Sequence, residues 1–554
     1  FVLNDVAQNF FFENNGQGSL LVGPGEMHVD RVDGEINVTR PARVEREPGQ
    51  WLLPGVLPPQ VVVVLEAGLA VAGLQSVVTS DIHKIIKNGG EMGLHLNTNK
   101  CELISNPNSF IIDPVLRSFT AVDVADATLL GAPLFKGRAL DSAWADRCTD
   151  LNRAVERLSL LGAQDALLLL RISFSAPRVQ HLLRCSPSVD NAELSTFDNT
   201  LKSALCQITN NNLSDTQWLQ ASLPIKQGGL GIRQVRSLAL PAFLASAAST
   251  SDLQLQILPV LSDSADPYFD SYLTAWQNSY GALLPSVPLP DKQSFWDKPG
   301  ILHTRSLVES RCSDSYQMAR FRAAAAPHSG DWLLALPISS CGLKLTDEAV
   351  RLAVALRLGC DACVPHSCRC GATVDAHGLH CLICKQAPSR VVRHHALNDI
   401  IARSFSAAGI PVTKEPLGLV RSDGKRPDGL TLIPWQGGKP LTWDVTVIST
   451  LADSYLQASA RSAGGAAEIA ASRKESKYAS LPLEYTFQPV AFETHGSLNT
   501  SASEFLSELG RRISDSSGDC RETSFLFQRL SIVVQRFNCV LVHESFCVTG
   551  EPDQ

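Results

Sequence analysis

The chain has 554 residues, 44% of them hydrophobic at a mean hydropathy of +0.03, which suits about three or four globular domains with cores of their own. Its 48 Lys and Arg against 55 Asp and Glu leave a net charge of −7, excluding a uniformly basic nucleic-acid coat while leaving room for local basic patches. Fifteen cysteines, mostly scattered singly, do not make a disulfide framework, and no apolar run approaches membrane-span length, since 161–170 is broken by Gln164 and Asp165. A reducing, intracellular setting is therefore expected, and Phe1 in place of Met, with no signal peptide, reads as a fragment or a conceptual translation.

Residues 1–75 carry Gly/Pro punctuation and an odd valine run at 61–64 but no steady period, so they receive neither a domain nor a function. From residue 76 the pattern becomes regular. A helix is predicted over 81–93, a turn and strand over 94–104, a long helix over 141–170, and a glycine turn over 223–233. Together with Leu130-Gly-Ala-Pro-Leu134, residues 76–250 resemble the palm end and thumb of a non-LTR retrotransposon reverse transcriptase, most specifically at 93–103 and 228–233. That resemblance implies a polymerase whose aspartates, including an adjacent Asp-Asp pair, hold Mg²⁺. No Asp-Asp dipeptide occurs in the chain, so a remnant without its active site is expected, and no DNA synthesis by this chain alone. Gly228–Gly231 lacks the Gly-Lys-Ser/Thr end of a phosphate loop and reads as a turn.

Residues 251–346 read as a helical connector with Pro-rich links, in which Trp276, Trp296 and Trp332 are packing residues or, as the lesser alternative, base-stacking platforms. A zinc-knuckle region follows over 347–395. It opens with an amphipathic helix at 347–358 carrying Leu352, Ala355 and Leu356 on one stripe, then presents Cys368, Cys370, His380 and Cys384 as C-x-C-x₉-H-x₃-C. Zn²⁺ takes four thiolate or imidazole ligands tetrahedrally, and so short and polar a segment has few other ways to order itself. Cys360, Cys363, Cys381, His366 and His377 lie close enough to compete, which leaves the ligand set open. Arg393-His394-His395 opens a helix to about 408, as a phosphate contact or as a solvated helix start.

The C-terminal stretch carries the densest chemistry. A β-hairpin is predicted with arms at 430–433 and 441–449 around a Gly437-Gly438 turn, Asp428 standing at the mouth of one arm and Asp444 inside the other. A turn centred on Gly437 would set Asp444 across from Leu430 and Asp428 on the same face at a diagonal of about 7–8 Å, a spacing at which two carboxylates can share a divalent cation. Upstream, the extended segment 410–416 ends near a third carboxylate, Glu415. Downstream, a helix over 464–481 places Ala467, Ala470, Ala471, Lys474 and Tyr478 on one stripe facing the sheet, where an inward Lys474 can orient water or offset phosphate charge. As alternatives, the aspartates are a turn and a solvent-facing residue and Lys474 is a snorkelling edge residue. Basic stretches at 390–395 and 421–426, the latter including Lys425 and Arg426, flank these groups. A core strand is predicted over 485–493, then helices over 503–514 and 524–539, the last with Gln528, Arg529, Gln535 and Arg536 as a solvated face or as backbone contacts.

Glu415, Arg426-Pro427-Asp428, Asp444-Val445-Thr446, Lys474 and Lys477-Tyr478 resemble the restriction-like endonuclease of site-specific non-LTR retrotransposons, a PD-(D/E)XK nuclease whose lysine is displaced onto a following helix. The resemblance implies Asp428 and Asp444 as Mg²⁺ ligands, Glu415 as an accessory carboxylate, and Lys474 as the catalytic lysine with Lys477 as its competitor and Tyr478 beside them. It also implies a Cys-Cys-His-Cys zinc knuckle immediately before the nuclease, with Arg393, His394, His395, Lys425 and Arg426 available to nucleic acid. The expected fold is multidomain α/β, with a largely helical middle, a small knuckle, a restriction-endonuclease-like domain with a mixed sheet over 396–545 and a tail at 546–554. The expected function is an enzyme, a Mg²⁺-dependent endonuclease that nicks target DNA for target-primed reverse transcription. The alternatives are a catalytically silent nucleic-acid-binding remnant or domesticated module, and part of an active reverse transcriptase if a longer chain supplies the palm. Partners would be target DNA and element RNA, without a membrane, in the nucleus.

Overall fold

The computed structural model describes residues 70–105, 111, 113–257, 267–281, 290–420 and 424–546, with backbone alone at 72–74, 252–257 and 267, together with the backbone of five N-terminal strands at Phe10–Asn14, Leu20–Pro24, His28–Val32, Glu35–Thr39 and Gln60–Val64. Helices predominate, with small sheets between them, a multidomain α/β arrangement. Most of 1–75, left without a domain above, lies outside the described residues. Two compact units emerge, one of 1–150, 178–197 and 235–300, the other of 151–177, 198–234 and 301–554. The divisions at 250 and 346 are thus crossed, because the second unit gathers segments from both sides of each.

In the first unit six strands form one sheet in the order Phe10–Asn14, Leu20–Pro24, Ala70–Leu74, Gln60–Val64, Glu102–Ser105 and Thr120–Val122, all pairs antiparallel except the last. Helix Gln75–Glu91 buries Val78 and Ile82 with Val71, Leu103 and Leu116, and so starts six residues ahead of the predicted 81. Trp276 and Trp296 are core residues, their rings edge to face at 5.1 Å and the Trp276 indole N–H donating to the Trp296 carbonyl.

The helix predicted over 141–170 is two helices. Arg138–Leu158 ends, and Ala163–Leu169 restarts from Gly162 and runs into a π-helical turn at Leu170–Phe174. A distant residue fixes the restart, since the Asp347 carboxylate accepts the Ala163 N–H at 2.8 Å. Such side-chain capping of orphan helix donors is invisible to local periodicity. Helix Asp347–Leu358 forms as predicted, capped by Thr346 and closed by Gly359 at φ +72°.

The second unit ends in a module of four strands, β1 (Val412–Lys414), β2 (Gly429–Thr431), β3 (Leu441–Ile448) and β4 (Thr486–Glu493), with helices α1 (Ser389–Ala407), α2 (Asp453–Arg461), α3 (Gly465–Lys477), α4 (Thr500–Ser517) and α5 (Glu522–Ser545). β1–β2 and β2–β3 pair antiparallel and β3–β4 parallel, with α2 and α3 in the crossover, so the sheet is mixed. Alternation along β3 divides the chemistry between its faces. Trp443 and Val445 enter a core with Ile401 and Phe405 of α1, Phe492 of β4, Leu506 and Leu509 of α4 and Leu530 of α5. The opposite face meets the small residues of α3, where Ala467, Ala470 and Ala471 cluster with Ala491 and Ile448. α5 is long and apolar enough to cross a membrane, contrary to the expectation that no segment is; most of its apolar window is buried, as in a core helix.

Candidate functional site

Two sites stand in the second unit. In the first, strands at His366–Ser367 and Thr373–Val374 pair, and Gly371 turns between them at φ +86°, aiming Cys368 and Cys370 together. Helix Leu379–Ile383 and its C-cap carry His380 and Cys384, four residues apart and so on one face. The ligand atoms of all four lie within 4.8 Å of one another, with Cys368 Sγ to Cys384 Sγ at 3.8 Å and Cys370 Sγ to His380 Nε2 at 3.1 Å. An edge of about 3.8 Å is what two Zn–S bonds of about 2.3 Å subtend at a tetrahedral centre. The group could bind a metal such as zinc. Three of its five competitors are engaged elsewhere: the Cys381 thiol donates to Ser545 Oγ, Cys363 to the Asp375 carbonyl, and His366 stacks on Phe546 with Nε2 on Ser545 Oγ. Cys360 lies outside the group of four whose ligand atoms come together.

The second site lies along β2, β3, α1 and α3. Asp428 stands just ahead of a ladder that pairs Gly429 with Trp443 and Leu430 with Thr442. This corrects the predicted pairing of Asp444 with Leu430 by two residues. The first arm leaves the ladder at Thr431, whose Oγ1 accepts the Leu441 N–H and donates to the Ile433 carbonyl, while the tight turn is closed separately by Trp435 and Lys439 around Gly437 and Gly438. A shift of two keeps every side chain on its face. Four bonds from α1 and β3 hold Asp428. Its N–H donates to the Trp443 carbonyl at 2.9 Å, its carbonyl accepts from Asn398 Nδ2 at 3.2 Å, Oδ1 accepts from His394 Nε2 at 3.1 Å, and Oδ2 from the Val445 N–H at 2.6 Å.

Asp444 is 3% exposed and ion-paired with Lys474. The pair forms because α3 lies along the strands. At its start Glu493 of β4, fully buried, accepts the Ala467 N–H at 3.0 Å; seven residues later, about 10 Å along a helix, Lys474 reaches Asp444, about 13 Å back along β3 from Ile448. Alanine at the three contact positions permits that closeness. Burial raises the Glu493 carboxyl above the ordinary range, and its second oxygen has no partner. The Asp428 carboxylate raises His394 above the usual imidazole range, opposed by burial; the charges of Asp444 and Lys474 also reach it.

The remaining predicted residues divide. Tyr478 is buried, its hydroxyl donating to the Arg426 carbonyl at 2.9 Å, and Lys477 lies over its ring at 5.0 Å instead of at the carboxylates. Glu415 is exposed, with φ +47°, a left-handed conformation that costs a non-glycine residue about 1 kcal/mol; its N–H donates to the Asp428 carbonyl. Among the described residues the Cys/His group is the one cluster of three or more metal-ligand side chains, so Glu415 does not close on the aspartates. His395 and Lys425 are exposed, Arg426 Nη1 donates to the Glu415 carbonyl, and 421–423 lie outside the described residues.

Arg393 corrects the reading of a helix entrance. α1 begins at Ser389, which turns Arg393 inward at 1% exposure with Nη1 donating to Asn538 Oδ1, out of reach of phosphate. Gln535, expected on a solvated face or at nucleic acid, is likewise buried, and Arg536 donates to the carbonyls of Gly342 and Lys344. Sequence reasoning missed Asn398, whose Oδ1 accepts the Trp443 indole N–H at 2.8 Å, and Glu493. The available signals were an asparagine four residues after His394 on a helix and an acid closing an apolar strand. No protein-family model matches this chain, and no curated protein matches it either.

Proposed function

We propose that the second unit is a metal-dependent DNA endonuclease, of the restriction-like kind found in non-LTR retrotransposons, that nicks target DNA for target-primed reverse transcription. The observation that carries this reading is the convergence of Asp428, Asp444 and Lys474 from three elements onto one end of a mixed sheet. The donor set fits Mg²⁺: Asp428 at the start of β2 and Asp444 on β3 are hard oxygen donors, and most of an octahedral coordination sphere is left for water and phosphate. When bound there, the ion would polarise the scissile phosphate and acidify an attacking water. Asp428 and Asp444 would hold it. Lys474 stands against Asp444 and would offset charge growing on the phosphoryl oxygens. Zn²⁺ in the Cys368, Cys370, His380 and Cys384 group would be structural, and His395, Lys425 and Arg426 would meet the DNA backbone.

The test is nicking of supercoiled plasmid by the full zinc-loaded chain with and without Mg²⁺, beside Asp444→Asn. Mg²⁺-dependent nicking that falls at least about 100-fold in the variant is expected. Intact DNA binding by both proteins with no nicking by either would overturn the nuclease and leave a silent binding module.

A further inference from the structure

One turn of α1 addresses one residue of the hairpin from two sides. His394 and Asn398, four apart and so on the same helix face, bond respectively to the carboxylate and the carbonyl of Asp428. Asn398 is itself locked, 4% exposed and accepting the indole N–H of a fully buried Trp443. α1 is fixed in turn by Ile401 and Phe405 in the main core, with the Phe405 ring stacked at 4.9 Å on Trp443. The chain of contacts runs from the core through Trp443 and Asn398 to the Asp428 backbone, and from α1 through His394 to its carboxylate.

We propose that His394 is a positioning residue that sets the ligating rotamer of Asp428. It rests on the metal-site reading above. An aspartate carboxylate turns about a broad terminal torsion, so an unsupported ligand must lose that freedom on binding an ion. Here Oδ2 is tied to the Val445 N–H and Oδ1 to His394 Nε2, which pins both oxygens and leaves each a further lone pair. A bond of this kind to the far side of a ligand fixes its orientation before the ion arrives, and its loss commonly weakens metal binding about 10- to 100-fold. The geometry also requires the Nε2–H form of the ring, since Nε2 must donate to the carboxylate. This gives His394 a role other than the phosphate contact its position in a basic run suggested.

The test is Mn²⁺ binding to the full zinc-loaded chain by titration calorimetry, a readout independent of turnover, for the parent, Asp428→Ala, His394→Ala and His394→Gln. Glutamine carries an amide N–H near the place of Nε2, so it separates the hydrogen bond from the ring. The expected result is parent binding abolished in Asp428→Ala, weakened at least about 10-fold in His394→Ala, and restored to within about 3-fold in His394→Gln. Nicking at saturating Mn²⁺ should recover in His394→Ala more fully than at low Mn²⁺, as an affinity effect requires. Parent binding that depends on Asp428 with an unchanged Kd in His394→Ala would overturn the positioning role alone. Parent heats equal to those of Asp428→Ala would overturn the metal site, and the positioning role with it. If His394→Ala loses its zinc or its thermal transition, His394→Gln decides: weak binding by that folded variant overturns the hydrogen-bond argument.

Discussion

Gly429 sits between the Asp428 ligand candidate and the strand that carries Asp444, and its missing side chain is a packing requirement. A Cβ there would lie 2.0 Å from Cζ2, 2.3 Å from Cη2 and 2.4 Å from Cε2 of Trp443. Carbon atoms in contact stand about 3.5–4.0 Å apart, so the indole would have to move by about 1.5 Å. It has no free direction, being fully buried, stacked on Phe405 and bonded to Asn398. Forced overpacking costs about 1–3 kcal/mol and the indole bond about 1 kcal/mol more. Gly429→Ala should therefore destabilise the module by about 2–4 kcal/mol, a factor of about 30–1,000 in its opening equilibrium. Because the chain has two units, a global unfolding curve would blend transitions. Hydrogen exchange of peptides covering Leu441–Ile448 and Ser389–Ala407 in the full chain reads the module directly. Protection should fall by that factor there and stay unchanged in the first unit, and Gly429→Ala combined with Trp443→Leu should lose less than the two substitutions summed. Protection within about twofold of the parent would refute the claim that the indole is immovable, and with it the rigid support given to Asp428.

Two further outcomes follow from groups outside the aspartate site. His495 is buried, and burial, then the charges of Arg320 and Arg357, push it down to about 3. Its folded value lies below the unfolded one of about 6.5, so its contribution is complete above that pH and is lost as pH falls toward 3, at up to about 1.4 kcal/mol per unit. Stability measured from pH 7 to pH 5 should fall less steeply in His495→Asn than in the parent; equal slopes would show that the ring is protonated inside the fold. For the cysteine cluster, the purified chain should hold one equivalent of zinc by elemental analysis, lost in Cys384→Ser and kept in Cys363→Ser or Cys381→Ser. Retention in Cys384→Ser would assign the ligands wrongly.

Local chemistry made most of the C-terminal module legible, because Gly437-Gly438, the alternation of β3 and the alanine stripe of α3 each speak through neighbouring residues. The stripe of α3 is legible in its spacing, and Ala467, Ala470, Ala471 and Tyr478 are all buried. What escaped was decided at a distance. The register shifted by two because Thr431 spends its hydroxyl on the Leu441 N–H, a bond that no periodicity encodes. A helix opening at Arg393 would leave that side chain at the surface; Ser389, which bonds Glu544 of α5, begins α1 four residues earlier and turns it inward. The knuckle ligands were ambiguous by spacing alone and were sorted by Ser545, which takes Cys381 and His366 out of the competition.

The seat of α3 on the sheet has an evolutionary corollary. Ala467, Ala470 and Ala471 bear no chemistry, yet their smallness alone lets Lys474 reach Asp444. An alanine codon becomes a valine codon by a single base change, and each such event would wedge two extra methyl groups beneath the helix, lifting the ammonium from its carboxylate while every charged residue still read intact. Were the proposed nuclease released from selection, inactivation would thus accumulate among the alanines unseen by any inspection of the acidic and basic residues. If the proposed site is the working one, small residues at 467, 470 and 471 are as necessary to it as the aspartates themselves.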